Sequence, residues 1–251
     1  MGVVEARERA DDLLAAMTFE EKVAVALGDF AAVARLGVPP LRYADGPNGI
    51  RGPDNVTAFP ASLALAATFD EGLAAAYGTA VAEEARDTGS NVLLGPAVDI
   101  ARVPLGGRLP EAMGEDPCLT GRLAAAEVRA IQDRHVISMV KHFVGNNAET
   151  GRTGYTTSDG RTAAINTVVS ERALRELYYP PFKAVVQRGG AGSVMGSYNR
   201  LNGLYACQNR ASWAPSRTTG AGTGSWPPTS STRCATRSPP PTPGSTSPGW
   251  T

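Results

Sequence analysis

No apolar run in this 251-residue chain approaches the ~20 residues that a membrane-spanning helix needs. A membrane partner is therefore not expected. Nor is there a surplus of positive charge, because 24 Lys and Arg balance 24 Asp and Glu. The stretch 211–251 holds three of the arginines and no acid, which leaves residues 1–210 slightly acidic. Nucleic-acid binding has no electrostatic support. Cysteine is scarce, with Cys118, Cys207 and Cys234 an odd set without metal-type spacing. That pattern suggests neither a disulfide framework nor a metal site. CxxC, HExxH and GxSxG are all absent. GAGTGS at 220–225 has no strand before it and no Lys after it, so it is no phosphate loop. No cofactor is expected. The first residues, MGVVEARERADDLLAAM, are charged and helix-like and lack the apolar core of a signal peptide. Ala6 breaks the myristoylation pattern. A cytoplasmic location is the expectation.

A further absence divides the chain. Residues 211–251 contain no Leu, Ile, Val, Met, Phe, Tyr, Asp, Glu, Lys, His, Asn or Gln, yet hold all three Trp. Residues 1–210 are quite different and read as alternating helices and strands. Thr18-Phe19-Glu20-Glu21 has capping-box spacing and predicts a helix to about Leu27. Thr68-Phe69-Asp70-Glu71 repeats the signal before an Ala-rich helix to about Thr88. Asp116-Pro117 offers an N-cap and a Pro at N1 for a helix to about Arg134. Ser170 opens another, which Gly189-Gly190 ends. Between them NVLLGPAVDI (91–100), VISMVKHFV (136–144) and SVMGSY (193–198) read as buried strands. Buried strands separated by helices imply parallel βαβ units, whose chemistry gathers at the C-terminal strand ends.

Polar residues fall at those ends. In LRYADGPNGIRG (41–52), Asp45 projects from a turn-rich loop, either as an Asx-turn or as a carboxylate that accepts from a polyol. In GRLPEAMGEDP (107–117), Arg108, Glu111, Glu115 and Asp116 crowd one loop, a pattern that is commonly solvated or structural. Asp99 follows NVLLGPAV. Lys141-His142 interrupts an apolar strand, where buried charge is costly without partners. His142 is one of only two histidines, and a satisfied core imidazole is its alternative role. GNNAETGR downstream adds Asn146, Asn147, Glu149 and Arg152. Tyr198 ends the last strand, as a packing residue or a hydrogen-bond partner.

Seven runs in order, MTFEEKVA, GVPPLRYADGPNGIRG, FPASLALAATFD, GPAVDIARVPLGGRLPEAMGEDP, MVKHFVGNN, VSERALRELYYPPF and MGSYNRLNG, resemble the N-terminal barrel domain of glycoside hydrolase family three, the β-glucosidase-like enzymes. The resemblance covers about residues 10–209. It implies a (β/α)₈ TIM-type barrel and retaining hydrolysis of terminal β-linked sugars by two carboxyl groups. It implies that Asp45 binds the far hydroxyls of the sugar, that Arg108, Lys141 and His142 grip the others, and that Met195 and Tyr198 line the floor. PLGGR and LPEAMGED lack the family's usual aromatics there, which puts linkage preference in question.

After MGSYNRLNG the family continues with a Leu-rich helix and a WGFxGFVxSDW-like strand that carries the nucleophilic Asp. Here stands SWAPSRTTGAGTGSWPPTSS instead. A one-base shift of frame explains it. Codons built from the third base of one residue and the first two of the next let 218–230 decode as DDWGWDGFVASDF and 212–214 as LLG. A Ser/Thr/Pro linker is the alternative. The expectation is an α/β chain comprising an incomplete barrel, 1–210, of roughly six strands, and an out-of-frame, disordered tail, 211–251. Such a chain lacks nucleophile and acid/base, is unstable or aggregation-prone, and has a β-glucoside or other oligosaccharide as its partner. The rival expectations are a sugar-binding barrel fragment without catalysis and a helical scaffold whose tail finds a partner.

Overall fold

The computed structural model describes residues 3–156, 162–213 and 232–234. The chain begins with α1 (Val3–Ala16) and α2 (Phe19–Leu27). Thr18 caps α2 with the reciprocal Thr18–Glu21 bonds of a capping box, and Gly28 closes it at φ 94°. Then follow β1 (Tyr43–Asp45), α3 (Ser62–Ala66), α4 (Glu71–Asp87), β2 (Val92–Leu94), α5 (Pro117–Asp133) and β3 (Ile137–Phe143). Short strands β4 (Tyr155–Thr156), β5 (Thr162–Ala163) and β6 (Asn166–Thr167) precede α6 (Glu171–Ala173). A π-helical turn, Leu174–Tyr178, joins α6 to α7 (Tyr179–Gln187). After β7 (Ser193–Gly196) come β8 (Arg200–Leu201), β9 (Leu204–Tyr205), α8 (Arg210–Trp213) and β10 (Thr232–Cys234).

The main sheet is parallel, in the order β1-β2-β3-β7-β10. It is an open part of a (β/α)₈ barrel, with β1 and β10 at its two ends. Sequence order equals spatial order in this sheet, as in a singly wound barrel. Among the described residues four strands of the main sheet precede residue 210, fewer than the roughly six expected; the polar stretches 155–167 and 200–205 form separate small sheets. Of the tail 211–251, residues 211–213 end α8 and 232–234 pair with β7; the remainder lies outside the described residues.

The predicted helix starts at Thr18, Asp116 and Ser170 hold. Asp116 accepts from the N–H groups of Cys118 and Leu119, with Pro117 at N1. Asp70, rather than Thr68, caps α4 through Gly72 and Leu73. A carboxylate one residue from the helix reaches both N–H groups, and Thr68 instead accepts from the Asp70 N–H. Helix α5 packs between α4 and α7 over the sheet. Gly78 permits the approach of α4 and α5, since a Cβ there would lie 2.5 Å from the Glu127 carbonyl oxygen. Leu93, Val140 and Val194 are buried on the strands. Phe143 stacks on Tyr179 at 5.9 Å and meets Phe182 edge-on at 5.0 Å. Burial of each such large apolar side chain contributes about 2–3 kcal/mol. This layer holds the C-terminal ends of β1, β2, β3 and β7 in one rim. Cys207 is disulfide-bonded, a correction to the cysteine-spacing expectation, since sequence spacing is blind to which loops a parallel sheet sets side by side.

Candidate functional site

Asp45 closes β1, and Lys141 and His142 lie near the end of β3 two strands away. Lys141 is 2% exposed. Its Nζ donates to Asp45 Oδ1 at 2.7 Å. The cost of burying an ammonium is thus offset by a charged hydrogen bond. Burial pulls the Lys141 ammonium below the usual lysine range, and Asp45 opposes that pull. The second Asp45 oxygen meets Arg51 Nη1 at 3.4 Å. Its carboxylate is 42% exposed and stays open toward solvent. Asp45 therefore spends its side chain on Lys141 and Arg51, not on an Asx-turn.

Arg108 lies just before the 3₁₀ turn Leu109–Glu111, which brings Arg108 and Glu111 onto one side. Glu111 accepts from Arg108 Nε at 3.2 Å and from Nη2 at 2.6 Å, a bidentate fork. Arg51 Nη2 adds a third bond at 3.0 Å. Burial by itself raises the Glu111 carboxyl, but the Arg108 bond and charge, the Arg51 bond and the Lys141 charge outweigh it and hold it at about 2. Burial works against the Arg108 cation too, yet Glu111, then Glu149 and Asp99, raise its pKa. Arg108 and Glu111 of this loop therefore form a part-buried clamp, while Glu115 and Asp116 are exposed. Asp116 alone keeps the capping role expected of it.

His142 is 5% exposed. Its Nδ1 lies 2.7 Å from Asp99 Oδ2, and its Nε2 lies 3.1 Å from Arg108 Nη1. Glu149 accepts from Asn146 at 3.0 Å and from Arg152 Nε at 2.9 Å, and sits 3.7 Å from Arg108 Nη1. Arg152 in turn lies 5.4 Å above the Tyr198 ring. One continuous network thus runs from Asp45 and Lys141 through Arg51, Glu111, Arg108 and His142 to Asp99, and through Glu149 and Arg152 to Tyr198. Met195 is half-buried on β7, one residue before its end. Asn147 turns away and donates to Tyr178 Oη at 2.8 Å.

The structure brings Asp45, Arg108, Lys141, His142 and Tyr198 into this one network. Arg51 and Glu111 are the residues whose part the sequence leaves least visible. Their signal is partner choice across sixty positions, which spacing does not carry. Chemically the rim offers several fixed donors beside an open carboxylate. Such a set matches a polyol, whose hydroxyls each donate and accept. Among the described residues no His, Cys, Asp and Glu group could hold a metal ion.

Comparison with known proteins bears on the same residues. Residues 17–216 match the model of the glycosyl hydrolase family 3 N terminal domain. A beta-glucosidase of Rhizobium radiobacter is 41% identical over 209 residues, which cover 79% of this chain and 24% of that protein. Beta-glucosidase BoGH3A of Bacteroides ovatus is 42% identical over 219 residues, 80% of this chain and 28% of that protein. The chain thus spans about a quarter of the length of these curated relatives. Beta-glucosidase 3B from Thermotoga neapolitana, solved in complex with glucose, superposes with a TM-score of 0.65 at 40% identity, over 72% of this chain and 25% of that one. DesR, a beta-glucosidase from Streptomyces venezuelae in complex with D-glucose, gives a TM-score of 0.70 at 36% identity, over 82% and 26%.

Proposed function

Since the chain belongs to glycosyl hydrolase family 3, we propose that its strand-end rim is the sugar-gripping part of a retaining β-glucosidase-type site that acts on terminal β-linked sugars. The observation that carries this is the pairing of buried Lys141 with the half-open carboxylate of Asp45 beside the Arg108–His142 pair. In this reading Asp45 takes the far hydroxyls of a terminal sugar. Arg108, Lys141 and His142 take the others, and Met195 and Tyr198 form the floor. Hydroxyl contacts that tighten as the oxocarbenium-like state forms add several kcal/mol in such reactions.

Retaining hydrolysis needs a carboxylate nucleophile and a carboxylic acid on opposite sides of the bond, about 5–5.5 Å apart. Residues 211–251 contain no Asp or Glu. The proposal divides the chain into a partial barrel domain, 1–210, and an out-of-frame tail, 211–251, whose frame is lost near 210–212. The nucleophile codon then straddles Pro228 and Thr229. As written, the chain lacks hydrolytic turnover. A non-catalytic sugar-binding barrel fragment is the second reading, favoured by the complete polar network around Arg108. Calorimetric titration with glucose tests the shared core of both. Saturable binding that weakens in Lys141→Met supports them, and no binding by a folded chain removes them. Resequencing the coding DNA across codons 205–235 separates a disabled copy from a true fragment.

A further inference from the structure

His142 has both ring nitrogens engaged, and the partners differ in kind. Arg108 carries N–H donors and no acceptor, whereas the Asp99 carboxylate accepts only. With Nδ1 2.7 Å from Asp99 and Nε2 3.1 Å from Arg108, one proton arrangement satisfies both contacts. Nδ1–H donates to Asp99, and the Nε2 lone pair accepts from Arg108. Asn146 Nδ2, 3.5 Å from Nδ1, is itself a donor and cannot replace Asp99. On its far side Arg108 is held by the two bonds to Glu111, so Nη1 stays aimed at Nε2.

We propose that Asp99 is a positioning residue that fixes the Nδ1–H tautomer of His142, and that the resulting Arg108–His142 donor–acceptor couple selects a ligand hydroxyl. A hydroxyl fits this couple from both sides. It takes the place of the direct Arg108–His142 bond: its oxygen accepts the Arg108 N–H, and its proton goes to the Nε2 lone pair that this N–H releases. A fluorine or a carboxylate accepts without donating, and an ammonium donates without accepting, so each leaves one partner unmatched. The adjoining pocket has a volume of about 30 Å³ and is lined by Asp99, Arg108, Glu111, His142 and Asn146 among others. That is room enough for a hydroxyl to enter beside the couple. The hydroxyl selection rests on the sugar-site reading above; the tautomer does not.

The test uses the full chain labelled with ¹⁵N. Long-range ¹H–¹⁵N spectra at about pH 8, where an ordinary imidazole is neutral, report which ring nitrogen bears the proton. His135, exposed and the only other histidine, is the internal reference. The expected result is a protonated Nδ1 and a bare Nε2 at His142. Asp99→Ala should relax that pattern toward that of His135, and Asp99→Asn, which keeps an acceptor oxygen, should retain it. A proton on Nε2 in the unaltered chain, or an unchanged pattern in Asp99→Ala, overturns the role of Asp99. Titration with glucose and its monofluoro-deoxy analogues then reads the selection. One fluorinated position should weaken binding about tenfold or more, the loss expected when a hydrogen bond to a charged group goes unmatched. Equal affinity for every analogue overturns the selection. No glucose binding with the Nδ1–H pattern intact overturns the sugar reading and the selection together, and leaves the role of Asp99 supported.

Discussion

Two carboxyl groups in this molecule are buried in opposite styles. Glu111, at the strand-end rim, meets two arginines and has a buried lysine nearby, and is held at about 2. Glu127, in α5 facing α4, is 2% exposed, has an unpartnered Oε2, and is pushed by burial to about 8. Thr120, two turns earlier on the same face of α5, also buries an unpartnered hydroxyl. Desolvation acts on both carboxyls; partners alone make the difference. The rim spends its charges on each other and leaves open donors and acceptors toward solvent. The α4–α5 seam carries an acid whose Oε2 has no hydrogen-bond partner among the described residues. The proposed sugar site therefore draws on the first group, and a pH-dependent stability cost attaches to the second.

The largest effect should come from breaking the rim. Arg108→Leu leaves Glu111 without its fork and His142 without its donor. A loss of about 3 kcal/mol is expected, the lower end for a broken buried pair because Arg108 is 23% exposed. Chemical denaturation at pH 7 measures it, and a loss below about 1 kcal/mol would rank the clamp with surface pairs.

Next comes the contrast in pH. Glu111 has a depressed folded pKa, so its contribution is present above about 4.5 and disappears as pH falls toward about 2. Glu127 has a raised folded pKa. Below about 4.5 both states are protonated and it contributes nothing. Between about 4.5 and 8 the unfolded state ionises first, so stability falls as pH rises, and above 8 the cost is constant. Glu127→Gln should thus stabilise by about 2 kcal/mol at pH 8 and by none at pH 4. Equal effects at both pH values would show that Glu127 is ionised or already partnered in the folded chain. The smallest effect belongs to Thr120→Val, which removes an unpartnered buried hydroxyl and should fall between no change and a gain of about 1 kcal/mol. A loss above that range would mean that the hydroxyl has a partner.

The same contrast explains how much could be read from sequence. The capping box at Thr18, the Asp116-Pro117 start and the strands around Val140 and Val194 rest on local spacing, and each stands close to where it was expected. Lys141-His142 stood out because charge inside an apolar strand demands a partner. The partner of Lys141, Asp45, was visible as a candidate but not as its mate, since 96 positions separate them. Arg51, Glu111 and the Asp99–His142 bond were less legible still, for spacing does not report which loops meet above a sheet. Strand number failed for a related reason. An apolar run marks one buried strand without counting the others, and the polar stretches at 155–167 and 200–205, which carry no such run, form small sheets apart from the main one. Glu127 was invisible, because one Glu on an Ala-rich helix face looks solvated until a glycine lets the next helix close over it.

The most direct test of the account is hydrolysis of an aryl β-glucoside by the purified 251-residue chain, run beside Asp45→Ala. The account predicts sugar binding without turnover, so that product release matches the variant and the blank. Release by the chain that disappears in Asp45→Ala would show that a nucleophile and an acid are present after all, and would contradict the out-of-frame assignment of residues 211–251.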